Sequence, residues 1–447
     1  MGGLILRIKR IFVKKLFNLF DHDIPLKIND RITIIHAPNG FGKTAILRLI
    51  DSVFNSRYYE VRTFPFDTFG VEFDDSEVLL ITKPNGRERS KKNSRDYIPQ
   101  TLEFQYKGQN YVRSPVNEKE LPFPIEAVQH FVPDLQQIGP FQWRTPEGEM
   151  VTIHEIYERY PEMAQFTKAE ITKEPKWLHG LRTQFDVRFI RTDRLVGASE
   201  RPHRLHKEGR SQLAPAVTSY SDELSALIKS TLARYAELSQ SLDRTFPNRL
   251  VYQSASPNLS KDAISEKLAE FEEKRARLTA AGLLDKEQEL PFPVPQSIDE
   301  TKLSVLTVYV DDIEQKLGVF DSLAAKIDLF KSVINQRFRH KAMAISKEQG
   351  IVFTTDSGQL LQATSLSSGE QHEVVLMYEL LFKVRPDSLI LIDEPEISLH
   401  VAWQEQFLRD LTEMTKLSRF DVLIATHSPQ IISDRWDLTV ELKDRNA

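Results

Sequence analysis

Cysteine is absent from all 447 residues. That excludes disulfides, thiolate metal sites and cysteine nucleophiles, and it fits a reducing, cytoplasmic setting. Bulk charge of one sign is missing too: 59 Lys and Arg against 64 Asp and Glu leave a net −5. No global field therefore draws the chain to nucleic acid, and such contact would need a local patch. No apolar run is long enough to span a bilayer, which predicts no membrane association. The opening MGGLILRIKRIFVKKLFNLF is interrupted by Arg7, Lys9, Arg10, Lys14 and Lys15, so it lacks the apolar centre of a signal peptide. Leu6 stands where a myristoylation signal wants Ser or Thr.

What is present is an ordinary globular composition, 40% hydrophobic and 28% charged, over a length that suggests two or three structural units. The most informative stretch is ITIIHAPNGFGKTAILRLI, residues 32–50. Ile32, Ile34 and Ile35 read as a strand, Pro38-Asn39-Gly40 as a break, and Ile46, Leu47 and Ile50 as the apolar face of a helix. The loop of Ala37, Pro38, Asn39, Gly40, Phe41, Gly42, Lys43 and Thr44 matches G-x-x-x-x-G-K-[ST] except at Ala37. Its backbone N–H groups and helix N-terminus suit ATP phosphates, Lys43 offers a charge to them, and the Thr44 hydroxyl is a ligand for Mg²⁺.

A second cluster lies near the C-terminal end. Leu389 to Ile392 is a continuous apolar run, read as a buried parallel strand that delivers Asp393 and Glu394 at its carboxyl end. Asp393 suits a Mg²⁺ shell, and Glu394 suits a base for the attacking water. Val422 to Ala425 reads as another such strand, leading to His427, which can orient that water or reach the γ-phosphate.

Outside these clusters, alternation predicts strands at residues 4–17 and 24–28, turning at Asp21-His22-Asp23, and a hairpin around Lys107-Gly108. Val187 to Ile190 reads as a strand, and a hairpin is predicted over Lys341 to Thr355. Basic stretches at Arg87–Arg95 and Arg201–Arg210 are either solvated loops or binding patches. A helix is predicted from Leu224 to Leu242, ended by Phe246-Pro247, and another from Ser260 to Gly282. A third, Leu303 to Phe338, keeps three–four spacing over about 36 residues, roughly 54 Å. The Pro-rich turn at 290–296 predicts that the last two pair antiparallel, as a short coiled-coil arm or within a bundle.

The set APNGFGKT, LSSGEQ, ILIDEPEISLH and IATHSP resembles the ABC-type ATPase heads of SMC, DNA-repair and overcoming-lysogeny-defect proteins. The resemblance implies an α/β P-loop NTPase head, with a mixed sheet, an antiparallel β-lobe and an inserted helical hairpin. It divides the chain into 1–195, 196–338 and 339–447. It implies catalytic roles for Glu394 and His427. It makes Leu366, Ser367, Ser368, Gly369 and Glu370 a signature that completes the ATP site of a second subunit, and puts Glu396, Ser398 and His400 on a loop crossing that dimer interface. Ser368 stands where Gly is usual, and Glu370 where Gln is usual. More broadly, FDVRFIRTDRL, SQSLDRTFP and the tail IATHSPQIISDRWDLTVEL resemble the ATPase subunit of the anti-phage system called PARIS, with the Septu ATPase a close competitor. That resemblance implies a separate toprim-type or HNH nuclease partner and a phage-encoded trigger, such as a DNA-mimic protein. Because the chain ends 20 residues after His427, no nuclease domain in cis is expected. The alternative is an SMC-like ATPase that clamps DNA directly. A transporter cassette would not need the long helical insertion, and a non-hydrolysing binder would not need Glu394 and His427.

Overall fold

The computed structural model describes residues 6–84, 101–114, 128, 135–139, 142–144, 150–152, 156, 174–191, 213–252, 259–285, 300–362, 365–397, 399 and 401–443. Ser398, His400, the two basic stretches and the Pro-rich turn at 290–296 lie outside them. By packing, the chain forms two compact units, residues 1–192 with 385–447, and residues 193–384.

The first unit contains an antiparallel sheet of six strands in the order β2-β1-β4-β5-β6-β7. These are β1 (Ile8–Leu16), β2 (Phe20–Pro25), β4 (Thr68–Phe73), β5 (Val78–Thr82), β6 (Leu102–Tyr106) and β7 (Gln109–Arg113). Lys107 and Gly108 both have positive φ, as the predicted tight hairpin requires. The first hairpin turns earlier than predicted, at Phe17-Asn18-Leu19, because Asp21 and Asp23 are used across the strands: Lys15 N–H donates to Asp21, and Arg10 forks onto Asp23.

The second sheet of this unit is wholly parallel, in the order β11-β15-β16-β3-β17. Its strands are β3 (Ile32–His36), β11 (Val187–Arg191), β15 (Leu389–Asp393), β16 (Asp421–Thr426) and β17 (Thr439–Glu441). The predicted apolar runs are its interior. Helix α1 (Lys43–Phe54) joins one core with both sheets, which is why Ala45, Ile46, Leu47, Leu49, Ile50, Val53 and Phe54 are all buried. Two further helices belong here, α2 (Tyr58–Thr63) and α3 (Lys176–Gln184), with a small sheet of β8 (Gln136–Gly139), β9 (Gln142–Arg144) and β10 (Met150–Thr152).

The second unit carries the helices, with three differences from the sequence pattern. Helix α4 (Leu213–Tyr252) runs through Pro247 instead of stopping there. Arg249 secures that turn: its guanidinium donates to the Leu242 carbonyl at 2.9 Å and forks onto Asp312. The predicted third helix is two, α6 (Glu300–Gly318) and α7 (Asp321–Arg337), broken where the buried Phe320 ring packs on Tyr235. And α5 (Lys261–Ala280) runs parallel to them rather than antiparallel: Lys267 pairs with Glu314, Lys274 with Asp321 and Arg277 with Asp328. The 19 residues between Ala280 and Glu300 could reach about 63 Å if fully extended, longer than the roughly 30 Å of α5, so adjacency in sequence does not force a hairpin.

The hairpin of β12 (Lys341–Ser346) and β13 (Gly350–Thr355), with β14 (Leu360–Leu361), packs on α4. Ser221 Oγ accepts from Ile351 N–H at 2.8 Å, and Ser225 Oγ donates to the Lys347 carbonyl at 2.8 Å. A Cβ at Gly350 would lie 1.8 Å from the Ser221 carbonyl oxygen, so only glycine permits that approach. These contacts group residues 339–384 with the helices, whereas the division drawn from sequence placed them with the C-terminal part of the head. Among the described residues no helix is long and apolar enough to cross a membrane.

Candidate active site

The parallel sheet aligns the ends of three neighbouring strands. Asp393 closes β15 opposite Ala425 of β16, and Thr426 of β16 stands opposite His36 of β3. The phosphate-binding loop, the two acidic residues and His427 therefore leave the sheet side by side, at the carboxyl edge where such sheets bind ligands.

The loop turns through Gly40 and Gly42, at φ 90° and 87°, a conformation that costs glycine little. A Cβ on Gly42 would also meet Leu16 Cδ2 at 2.6 Å. Lys43 is buried, and its ammonium donates back to the Ala37 and Pro38 carbonyls at 2.7 and 3.2 Å. Burial pushes that amine below its ordinary value, while Glu394, Asp393 and Glu396 pull it up. Phosphate oxygens in the loop would offer the ammonium a stronger anionic partner than these carbonyls.

The Thr44 hydroxyl donates to Asp393 Oδ1 at 3.1 Å. Burial pushes the Asp393 carboxyl up, the Thr44 bond opposes this, and the neighbouring Glu394 charge adds to the rise. A carboxylate so placed gains from a hard cation, and this oxygen pair fits Mg²⁺ shared with phosphates. Bound there, Mg²⁺ would supply charge neutralisation at the β- and γ-phosphates. Glu394 has φ 46°, a strained value for a branchless but bulky side chain, and its N–H donates to the Ala425 carbonyl at 2.8 Å. That bond turns the chain sharply after β15. His427 Nδ1 lies 3.9 Å from Glu394 Oε1 and 3.2 Å from Glu396 Oε1.

The Glu396 carboxylate accepts from Thr426 Oγ1 within its own unit. Sequence reasoning missed an aromatic support for the phosphate-binding loop: Phe41 stacks on Phe20 at 5.2 Å, Phe20 on His22 at 5.5 Å, and His22 Nε2 lies 2.9 Å from the Phe41 carbonyl. Only alternation in β2 hinted at it. Burial lowers the His22 pKa from its ordinary 6.5, with the Phe41 bond opposing. Below pH 6.5 the unfolded chain then takes up this proton more readily, so stability is full above that pH and falls as acid is added. His372 is shifted down by burial in the same way. His22→Gln is therefore expected to make the acid slope of Tm shallower as the pH falls below 6.5, without abolishing it. An unchanged slope in a thermal-melt pH series would remove His22 from that role.

In the second unit, helix α8 (Ser368–Tyr378) begins at the signature. Ser367 is exposed and caps it: its Oγ accepts from Glu370 N–H at 3.3 Å, and Glu370 Oε2 accepts from Ser367 N–H at 2.7 Å. The Ser367 O–H remains a donor. Lys341 donates to both Glu370 oxygens at 3.0 and 2.8 Å. Burial works to raise the Glu370 carboxyl, but Lys341 and the Ser367 N–H outweigh it and hold it below its ordinary value. The acid at this position is thus matched by a local cation, which gives a physical reason for Glu where Gln is usual.

Parallel strand order, a glycine-turned loop on α1, and acidic and histidine side chains at adjacent strand ends define a P-loop nucleoside triphosphatase. The chain belongs to the AAA ATPase domain family, whose model matches residues 15–432. It is similar to the OLD nuclease of Thermus scotoductus (strain ATCC 700910 / SA-01), 39% identical over 75 residues, which are 17% of this chain and 14% of that protein. The matched stretch is thus a small part of that relative's length. Among solved structures, the Pyrococcus furiosus Smc head domain bound to the C-terminal domain of ScpA is 13% identical, with a TM-score of 0.35 over 98% of this chain and 94% of that one. The Thermotoga maritima SMC head domain gives 13% and 0.33 over 95% and 91%.

Proposed function

We propose that the chain is an Mg²⁺-dependent ATPase that works as a regulatory subunit of an anti-phage system, controlling a separate nuclease. The observation that carries the ATPase part is the gathering of Lys43, Thr44, Asp393, Glu394 and His427 at one sheet edge. Lys43 and the loop N–H groups hold the phosphates, Glu394 accepts the proton of the attacking water, and His427 orients that water. The stretch shared with an OLD nuclease supports coupling to nuclease action, and the resemblance to the PARIS ATPase supports a toprim-type partner over an HNH one.

The exposed Ser367 hydroxyl at the N-terminus of α8 suits a γ-phosphate bound by a second copy. Ile397 and Val401, 67% and 61% exposed beside the acidic loop, suit an interface between two such copies. Mixing Lys43→Ala with Ser367→Arg chains is expected to restore part of the lost ATP turnover, since one composite site per mixed pair stays intact. No recovery in mixed dimers shown to form would count against shared sites.

For the output, the protein is co-purified with the product of its neighbouring gene and challenged with ATP and phage proteins, while complex size and nuclease activity are followed. Release or activation of the nuclease on hydrolysis is the expected result. Steeply salt-dependent DNA binding by the ATPase alone would favour a DNA clamp instead.

A further inference from the structure

Glu396 follows the catalytic strand end by three residues, yet no step described above uses its carboxylate. Its side chain is only 9% exposed. One oxygen, Oε1, accepts from Thr426 Oγ1 at 2.7 Å and from His427 N–H at 3.3 Å, and lies 3.2 Å from His427 Nδ1. The other, Oε2, is buried without a hydrogen-bond partner among the described residues. Two groups keep the carboxylate in place. Thr426 Oγ1, while donating to it, also accepts from Ser428 N–H at 2.9 Å, which fixes the turn after β16. Gln404, buried on helix α9 (Val401–Ser418), donates to the Glu396 and Leu399 carbonyls at 3.1 and 3.2 Å, which fixes the acidic loop.

Holding a buried carboxylate against one edge of an imidazole has a chemical consequence. An ionised carboxylate only accepts hydrogen bonds, so the ring nitrogen facing it is stable only when it carries the proton. A free neutral imidazole has no such constraint, and its tautomer is set by whatever the other nitrogen meets. We infer that Glu396 is a positioning residue for ATP hydrolysis: it sets the His427 ring with Nδ1 protonated, leaving Nε2 as the acceptor turned toward substrate. This rests on the proposed ATPase role of His427. In the Ser-His-Asp arrangement an acid likewise fixes histidine's tautomer and orientation without taking the proton. Glu394 Oε1, at 3.9 Å, is too far from Nδ1 to do the same. The two glutamates therefore divide the work: Glu394 faces the water, and Glu396 faces the histidine that orients it.

The test uses the full chain labelled with ¹⁵N-histidine, with the His427 signal identified by its loss in His427→Gln. Ring tautomers are read by NMR at a pH where the imidazole is neutral. The parent is expected to show His427 with protonated Nδ1, and Glu396→Ala to lose that preference. Glu396→Gln, which keeps the shape and the Thr426 bond, serves should the alanine variant fail to fold; it is expected to weaken the preference. In parallel, kcat is expected to fall about tenfold or more in Glu396→Ala, the scale typical of an orienting partner, with KM and the Kd for a fluorescent ATP analogue within about threefold. The same substitution in a His427→Gln background is expected to change kcat less than about twofold, because a positioning residue has nothing left to position. An unchanged tautomer in both Glu396 variants, or an equal fall in kcat in both backgrounds, overturns the proposal. A parent without ATPase activity would sink the proposed function, and the tautomer measurement, which needs no turnover, would still decide the pairing.

Discussion

Glu394→Gln is expected to bind ATP within about threefold of the parent and to hydrolyse it at least a hundredfold more slowly, the lower end of what a positioned base contributes. The amide keeps the size of the side chain and, through the main chain, the bond from residue 394 N–H to the Ala425 carbonyl. It cannot accept a proton. Lys43→Ala should behave differently. It removes the only side-chain cation that the loop itself supplies, so ATP affinity rather than the chemical step should collapse. Equilibrium binding and single-turnover hydrolysis measured on both variants separate the two effects. Turnover by Glu394→Gln at the parent's rate would move the base to another group, and Glu396 would then be the first to examine, since it shares contact with His427.

The second large effect is on stability. Arg337, at the end of α7, is paired with Glu373 of α8, with side chains 2% and 0% exposed. Breaking such a pair from one side leaves a buried charge without its counter-ion, at a cost of about 3–5 kcal/mol. Arg337→Met and Glu373→Gln are each expected to lower stability by that order in denaturant unfolding. The double variant Arg337→Met/Glu373→Leu should recover more than half of the loss, because no lone charge remains. Single variants costing less than about 1 kcal/mol would show that water reaches the pair. The position of the pair gives it functional interest: together with Lys341 on Glu370, it fastens the signature helix to the end of α7 and the start of β12. A shift of the helices would therefore be felt at Ser367, the residue proposed to meet a neighbour's nucleotide.

The P-loop, the acidic strand end and the strand before His427 were legible because each is a local pattern. A glycine-turned loop and a Lys-Thr pair at fixed spacing, or a continuous apolar run followed by acids, leaves a signal within ten or so residues. The hairpins at Lys107-Gly108 and Lys341 to Thr355 were legible for the same reason. The early turn at Phe17-Asn18 was not, since Asp21-His22-Asp23 has turn-like composition and only cross-strand pairing to Lys15 and Arg10 shows where those acids are used.

By itself the sequence determined the candidate side chains for holding phosphate, accepting a proton and orienting water, and that β-strands would deliver them. Tertiary structure decided what each is paired with. It set β16 between β3 and β15, turned Glu396 onto His427, matched Glu370 with Lys341, and laid α5 parallel to α6 and α7. Composition and periodicity record how a residue relates to neighbours within a few positions. Strand order, helix direction and a carboxylate's partner depend on burial and charge satisfaction among groups tens to hundreds of residues apart, and no local spacing encodes them.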